Sequence, residues 1–274
     1  EVQRWDREVG EALQLLEERG ELDNTIVVMT GDHGMPFPRC KGNLYDWGAR
    51  VPLAIRWPSK VEAGRDVAAM TSLTDLAPTF LAAAGLEAPA VMTGRNLLPL
   101  LRGKAKPGRP FVVIGRERHT PAQKMPSLAG YPSRALRSDD WLLILNLEAG
   151  RWPAGVPEGA THPMNRHADC DNGPTKSRIF EDRATEAGAR FYALCFGKQP
   201  AVELYNARTD PDQTKNLAAD PQYAPLVAKL RRLLISELER TDDPRFSSAG
   251  SAPFDTYPYR AGYLQKHLEK HGHR

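Results

Sequence analysis

Val9, Leu13 and Leu16 recur at helical spacing among charged neighbours over the first twenty residues. This predicts an amphipathic helix with Asp6 as N-cap and Gly20 as the first residue past its end. Ile26 to Thr30 is a short, continuous and largely apolar run directly after "LDN", the pattern of a buried parallel strand in an αβ unit. Val51 to Trp57 predicts a second strand that stops at Pro58, and Leu76 to Ala84 a second helix closed by Gly85. The first third of the chain is therefore α/β in character.

The pattern changes near Lys104, where "RGKAKPGRP" supplies a basic, proline- and glycine-bearing linker. Strand patterns follow at Phe111 to Gly115, Arg134 to Leu147 and Val202 to Tyr205. Glu148 to Gly173 is rich in Pro, Gly, His and Asn, but Trp152 and Met164 punctuate it, which predicts an ordered loop or lid. Leu226, Leu230, Leu233 and Leu234 share one face of a helix ending near Arg240. Beyond Arg245 there is no helical stripe, and no internal repeat occurs anywhere. The expected domains are 1–105, 106–246 and a tail, 247–274.

Bulk properties narrow the function classes. The chain has 274 residues and 41% hydrophobic content, enough for an ordinary core. Lys plus Arg number 37 against 34 Asp plus Glu, a net charge of +3 spread along the chain. That is not the basic stripe of a nucleic-acid binder, but it leaves room for a local cationic pocket. Cys40, Cys170 and Cys195 allow at most one bridge and form no C-x-x-C pair. No apolar run approaches the roughly 18 residues of a membrane span. The charged, helical start shows no signal peptide and no initiator methionine, as expected of a chain that begins within a domain.

The chemistry gathers in "TIVVMTGDHGMPFPRCKGN". Asp32 and His33 stand where a strand ends, the place at which open α/β sheets bind ligands. Asp offers hard oxygen to a divalent cation, His can add nitrogen, and Gly34 permits the sharp turn that aims both inward. An isolated Asp-His-Gly is more readily an Asx turn capped by an exposed imidazole, so the continuation matters. Lys41 lies in the same loop. A metal and an ammonium group converging there would stabilise an oxyanion such as sulfate or phosphate.

T-G-D-H-G, Lys41, "GARVPLAIRWP" and "TSLTDLAPTFLAAAGL" together resemble the later part of the catalytic domain of type I sulfatases, in the alkaline phosphatase superfamily. "GYPSRALRSDDWLLILNL", "ELYNARTDPDQTKNLAADPQYAPLVAKLRRLL" and "ERTDDPRF" extend the likeness to about residue 246, where it looks most like the N-sulfoglucosamine sulfohydrolase branch. The resemblance implies an α/β fold: the C-terminal part of the sulfatase sandwich plus a smaller α+β subdomain with an antiparallel sheet and packed helix. It implies that Asp32 and His33 ligate a calcium ion, with His where Asn is commoner. Lys41 then contacts the sulfate and its bridging atom, and Arg50 is structural. Glu117 and His119 would line the sugar pocket, against the alternative of surface charges at a strand end.

Such sulfatases act through a formylglycine made from Cys or Ser in a C-x-P-S-R-type run, and these 274 residues contain none. Gly130-Tyr131-Pro132-Ser133-Arg134 imitates it, but glycine has no side chain to convert; a structural turn is expected there. The isolated chain is expected to be inactive and, with sheet edges open, poorly soluble. His162, His167, Cys170 and Asp171 invite a metal reading without a standard zinc spacing; a substrate-facing loop is expected instead, in which Arg151, Asp169, Asp171 and Lys176 reach sugar hydroxyls or sulfates. "HLEKHGHR" is expected to be a solvated tail. The leading function is hydrolysis of a sulfated sugar, N-sulfoglucosamine of heparan-type glycans first and an O-sulfate next. Expulsion of the amine needs a general acid, Lys41 or a histidine upstream of this chain. A phosphodiesterase or phosphonate hydrolase of the same superfamily, or a noncatalytic carbohydrate-binding remnant, are the alternatives. Family habit implies a periplasmic, extracellular or lysosomal setting, no nucleic acid or membrane partner, and a homodimer as the protein partner it allows.

Overall fold

The computed structural model describes residues 1–104, 109–120, 122–124, 127, 129–157, 167–247, 254, 255 and 257. The chain divides into two compact units, Glu1–Gly31 with Pro52–Pro110, and Asp32–Val51 with Phe111–Arg274.

In the first unit, helix α1 (Val2–Glu18) begins at Val2 with Glu1 at its cap. The expected N-cap, Asp6, lies inside the helix, because Val2 and Trp5 continue the apolar stripe one turn further back. Gly20, at φ +68°, ends it as expected. Strand β1 (Val27–Thr30) pairs with β2 (Leu53–Arg56), Val27 opposite Arg56 and Thr30 opposite Leu53. That pairing is antiparallel, a correction to the parallel arrangement read from the apolar run: the intervening loop reverses the chain, so β2 returns beside β1. Helix α2 (Leu76–Ala83) follows a capping box in which Ser72 Oγ accepts from Thr74 N–H and Asp75 accepts from Ser72 N–H. Buried Asp75 also accepts from Arg95 N–H and Arg109 Nη2, each at 2.7 Å.

The second unit is built on an antiparallel sheet in the order β3 (Phe111–Arg116), β4 (Ser133–Ser138), β5 (Trp141–Asn146), β6 (Val202–Asn206). The run expected as one strand, Arg134 to Leu147, is a hairpin broken at Asp139-Asp140, where the Ser138 hydroxyl accepts from Trp141 N–H at 3.2 Å. Leu136, Leu143, Leu145 and Leu204 pack on Leu230, Leu234 and Leu238 of helix α5 (Ala224–Arg240). Ala135, Leu142, Ile144 and Tyr205 point the other way and pack on Leu44 and Tyr45. Both faces are covered, which is why β5 reads as unbroken apolar residues rather than an alternation. Leu233 is 39% exposed, and Leu238 takes the buried place expected of it.

Helices α3 (Pro174–Asp182) and α4 (Glu186–Phe196) have no counterpart in the hydrophobic pattern. They enclose a small core of Ala154, Cys170 and Phe196, joined by Ile179, Phe180, Tyr192 and Cys195. His167 is completely buried there, stacked on Phe196 at 4.8 Å, with Nδ1 bonded to Gly155 O at 2.7 Å and Nε2 to Tyr192 Oη at 3.2 Å. With both nitrogens engaged, His167 is a packing residue, in line with the rejection of a metal site here, and it does not face substrate as the loop was expected to. His162, Met164 and "HLEKHGHR" lie outside the described residues.

Candidate active site

The loop from Asp32 to Val51 is shaped by two glycines. Gly34 N–H donates to Gly48 O at 3.0 Å, and a Cβ on Gly34 would come within 2.0 Å of Trp47 O. A Cβ on Gly48 would come within 2.1 Å of Cys40 O. Only bare backbones approach this closely. Arg39, at φ +65°, anchors the tip: its guanidinium lies 3.5 Å from the centre of the Tyr45 ring and donates to Asp212 O and Gln213 O. Arg137 grips Asp46 bidentately at 2.8 and 2.9 Å. Arg50 contributes its backbone N–H to Asp46 O and exposes its side chain, so Arg137 holds the loop where Arg50 was expected to.

Beneath the loop, Glu203 is buried and accepts from Tyr45 Oη (2.8 Å), Tyr205 Oη (2.5 Å) and Asn146 Nδ2 (2.6 Å). A cavity of about 20 Å³ lies beside it, lined by Asn43, Tyr45, Arg116, Tyr131, Cys195 and Glu203 among others. Burial and the Glu203 charge push the Tyr131 phenol above the ordinary tyrosine range.

Lys41 and His119 are brought together. The His119 ring rests on Gly42, where a Cβ would lie 3.1 Å from Nδ1 and the φ of +74° strains any side chain. His119 Nδ1 lies 2.9 Å from Asp169 Oδ1, and Lys41 Nζ donates to Asp171 Oδ2 at 3.0 Å. Asp169 also pairs with Arg116 and accepts from Thr120 Oγ1 at 2.8 Å. The contact with Asp169 raises the His119 pKa, while burial, Arg116 and Lys41 oppose the rise. Burial works to raise the Asp169 carboxyl, and Arg116, His119 and Thr120 outweigh it, so its pKa is depressed.

Glu117 goes elsewhere. It accepts from Arg134 Nη2 at 2.6 Å and from Arg245 Nη2 at 2.7 Å, in a network that continues to Asp243, Asp255 and Arg151. Arg134 of the "GYPSR" run is buried in that network and Ser133 donates to Asn146 Oδ1, so the run is structural, but its last two residues open strand β4 where a turn was expected. Lys176 is buried as well, its ammonium donating to His167 O (3.0 Å) and Cys170 O (2.7 Å).

A family model described as N-sulphoglucosamine sulphohydrolase, C-terminal, matches residues 31–110. Human N-sulphoglucosamine sulphohydrolase is 30% identical over 255 residues, covering 89% of this chain and 47% of the human protein. The chain belongs to the sulfatase family. A solved structure of a protein in complex with its substrate D-glucosamine-2-N,6-O-disulfate superposes on this sulfatase chain with a TM-score of 0.59 and 22% identity, covering 88% of it and 40% of the solved chain. A phosphonate monoester hydrolase from Silicibacter pomeroyi gives a TM-score of 0.58 at 22% identity, over 89% and 42% of the two chains. These likenesses show the α/β fold expected from the sequence. The chain spans between 36% and 47% of the lengths of the first curated relatives it matches.

The sulfatase likeness implies a divalent cation near Asp32 and His33, and the pair can be tested for its donors. His33 Nδ1 lies 2.7 Å from Gly34 O, and a carbonyl only accepts, so Nδ1 carries the proton. The ring Nε2 lies 3.4 Å from Asp32 Oδ2, so the pair presents a nitrogen and an oxygen side by side. Among the described residues no three His, Cys, Asp or Glu side chains gather that could hold a metal, so Asp32 and His33 supply at most two donors.

Proposed function

We propose that the full-length protein is a sulfatase that hydrolyses the sulfate group of a sulfated sugar, with N-sulfoglucosamine units of heparan-type glycans as its first substrate and O-sulfate esters next. The observation that carries this reading is the His119 ring resting on Gly42, next to Lys41, in a loop that the sulfohydrolase model matches. A sulfuryl group is anionic throughout the reaction and its leaving group becomes basic as the bond breaks, so cationic donors at both places lower the barrier. Lys41 binds a sulfuryl oxygen or the bridging atom. His119, whose pKa the Asp169 contact raises, donates to the sugar or its leaving nitrogen or oxygen when protonated.

A calcium ion at Asp32 and His33, when bound, would neutralise charge on the sulfuryl oxygens. The nucleophile is of the formylglycine type, which no C-x-P-x-R or S-x-P-x-R run of these residues supplies. An exported or lysosomal setting accords with sulfated glycans as substrate. No helix among the described residues is long and apolar enough to cross a membrane.

The test is sulfate release by the full-length protein from N-sulfoglucosamine, an O-sulfated glucosamine and the matching phosphomonoester and phosphonate. Faster turnover of either sulfated sugar, lost by about 10²-fold or more in Lys41→Ala, is the expected result. Faster turnover of the phosphorus compounds would replace the reading with a phosphonate hydrolase, and binding without turnover would leave a carbohydrate-binding protein.

A further inference from the structure

Lys41 and His119 are both engaged by one short segment. Asp169 and Asp171 are two residues apart, and each faces a different cation: Asp169 Oδ1 is 2.9 Å from His119 Nδ1, Asp171 Oδ2 is 3.0 Å from Lys41 Nζ. The segment is rigidly built. Lys176 reaches in from α3 to hold His167 O and Cys170 O, Asp169 N–H donates to Ala154 O at 3.1 Å, and Cys170 N–H closes a turn onto His167 O at 3.0 Å. His167, at φ +46° and wedged among aromatic rings, fixes where the turn starts.

We propose that Asp169 and Asp171 form a two-carboxylate clamp that positions the cationic groups of the sulfate site, Asp169 orienting the His119 imidazole and Asp171 the Lys41 ammonium. Both are positioning residues, and the inference rests on the sulfatase reading of Lys41 and His119. The two carboxylates differ in setting. The Asp169 side chain is 5% exposed and shared with Arg116 and Thr120, so it acts as a fixed orienting group for His119. The Asp171 side chain is 42% exposed and Lys41 25%, so this pair stands at the open side. One Lys41 proton is directed to Asp171 and two remain for an incoming anion. Asp171 therefore has two opposed effects: it repels an anionic substrate and it aligns the ammonium that must meet the sulfuryl group. The charged groups facing His119 are Asp169 from the turn, Arg116 from β3 and Lys41 from the loop; Asp169 keeps the imidazole protonated to higher pH.

That opposition separates the clamp from a merely structural pair. In the full-length protein, Asp171→Asn is expected to lower kcat about tenfold while lowering KM for the sulfated sugar and the inhibition constant of inorganic sulfate, each about threefold, with Asp171→Glu restoring kcat in part. Asp169→Asn is expected to move the alkaline limb of the rate profile, and the titration of the His119 carbon-bound protons seen by NMR, to lower pH. A fall in kcat with KM and sulfate inhibition unmoved in Asp171→Asn would overturn the clamp, as would a folded Asp169→Asn protein with an unmoved His119 titration. Should Asp169→Asn fail to fold, the more exposed Asp171→Asn decides alone. Absence of sulfate release by the unaltered protein would sink the sulfatase reading instead, and the His119 titration and sulfate-induced thermal shift would still judge the clamp.

Discussion

Gly34→Ala should damage both the stability and the chemistry of the Asp32–Val51 loop. The new Cβ would sit 2.0 Å from Trp47 O, 2.7 Å from Gly48 Cα and 2.8 Å from Gly48 C, all backbone atoms that no rotamer change can move. To reach even the shortest tolerated contact, the two strands of the loop must part by about 1 Å. Gly34 N–H then loses Gly48 O, and Met35 N–H, at 3.3 Å, loses Trp47 O. Two hydrogen bonds at about 1 kcal/mol each and overpacking of about 1–3 kcal/mol sum to roughly 3–5 kcal/mol. At about 2–4 °C per kcal/mol for a unit of this size, Tm should fall by roughly 6–20 °C. Because Asp32 and His33 precede the displaced residue directly, a shift of that size should also lower the catalytic rate about 10²-fold. Differential scanning fluorimetry and sulfate release on the full-length protein measure the two effects. Gly10→Ala, whose Cβ meets nothing within 4 Å in the middle of α1, is the control and should stabilise by about 0.5–1 kcal/mol. A Gly34→Ala protein with Tm within 1 °C and turnover within about twofold of the parent would refute the glycine-to-backbone account of the loop.

Glu203→Ala removes the common acceptor of Tyr45, Tyr205 and Asn146, and the three buried donors it strands should cost about 3 kcal/mol or more in denaturant unfolding. The His119–Asp169 contact should leave a signature in stability against pH. His119 has a raised pKa, so its contribution is complete below the ordinary value of 6.5 and is lost as pH climbs through the folded value. Asp169 has a depressed one, so its contribution is present above 3.8 and is lost as pH falls through the folded value. Their joint effect is therefore greatest between those limits, and His119→Ala should flatten the decline in Tm above pH 6.5. All three thiols are free, and burial pushes those of Cys170 and Cys195 up to about 11. Ellman's reagent at pH 8 should react slowly with both until the protein is unfolded, and prompt labelling would show that the small core around Phe196 is open.

Elements that bury a face against near neighbours were written plainly in the residue pattern. The leucine stripe of α5, the apolar run of β5 and the glycine stop after α2 depend on side chains a few positions apart, and local spacing carries that information. The Asp-His-Gly loop with its lysine was legible for the same reason, since Gly34, Lys41 and Gly48 all belong to one continuous stretch. Other features depend on partners far along the chain. Lys41 and Asp171 are separated by 130 residues and Glu117 and Arg245 by 128, and no periodicity records which carboxylate meets which cation. Neighbouring Glu117 and His119 therefore looked equivalent in sequence, and only the tertiary structure sent one into an arginine network and the other to the loop. His167 was placed on a substrate-facing loop until its aromatic surroundings were visible, and Arg39 drew no notice because the carbonyls and ring it grips come from elsewhere in the chain. Local sequence set the elements and the loop that bears the chemistry; folding assigned each charge its partner, because an ion pair is decided by distance in space and burial, neither of which has a period along the chain.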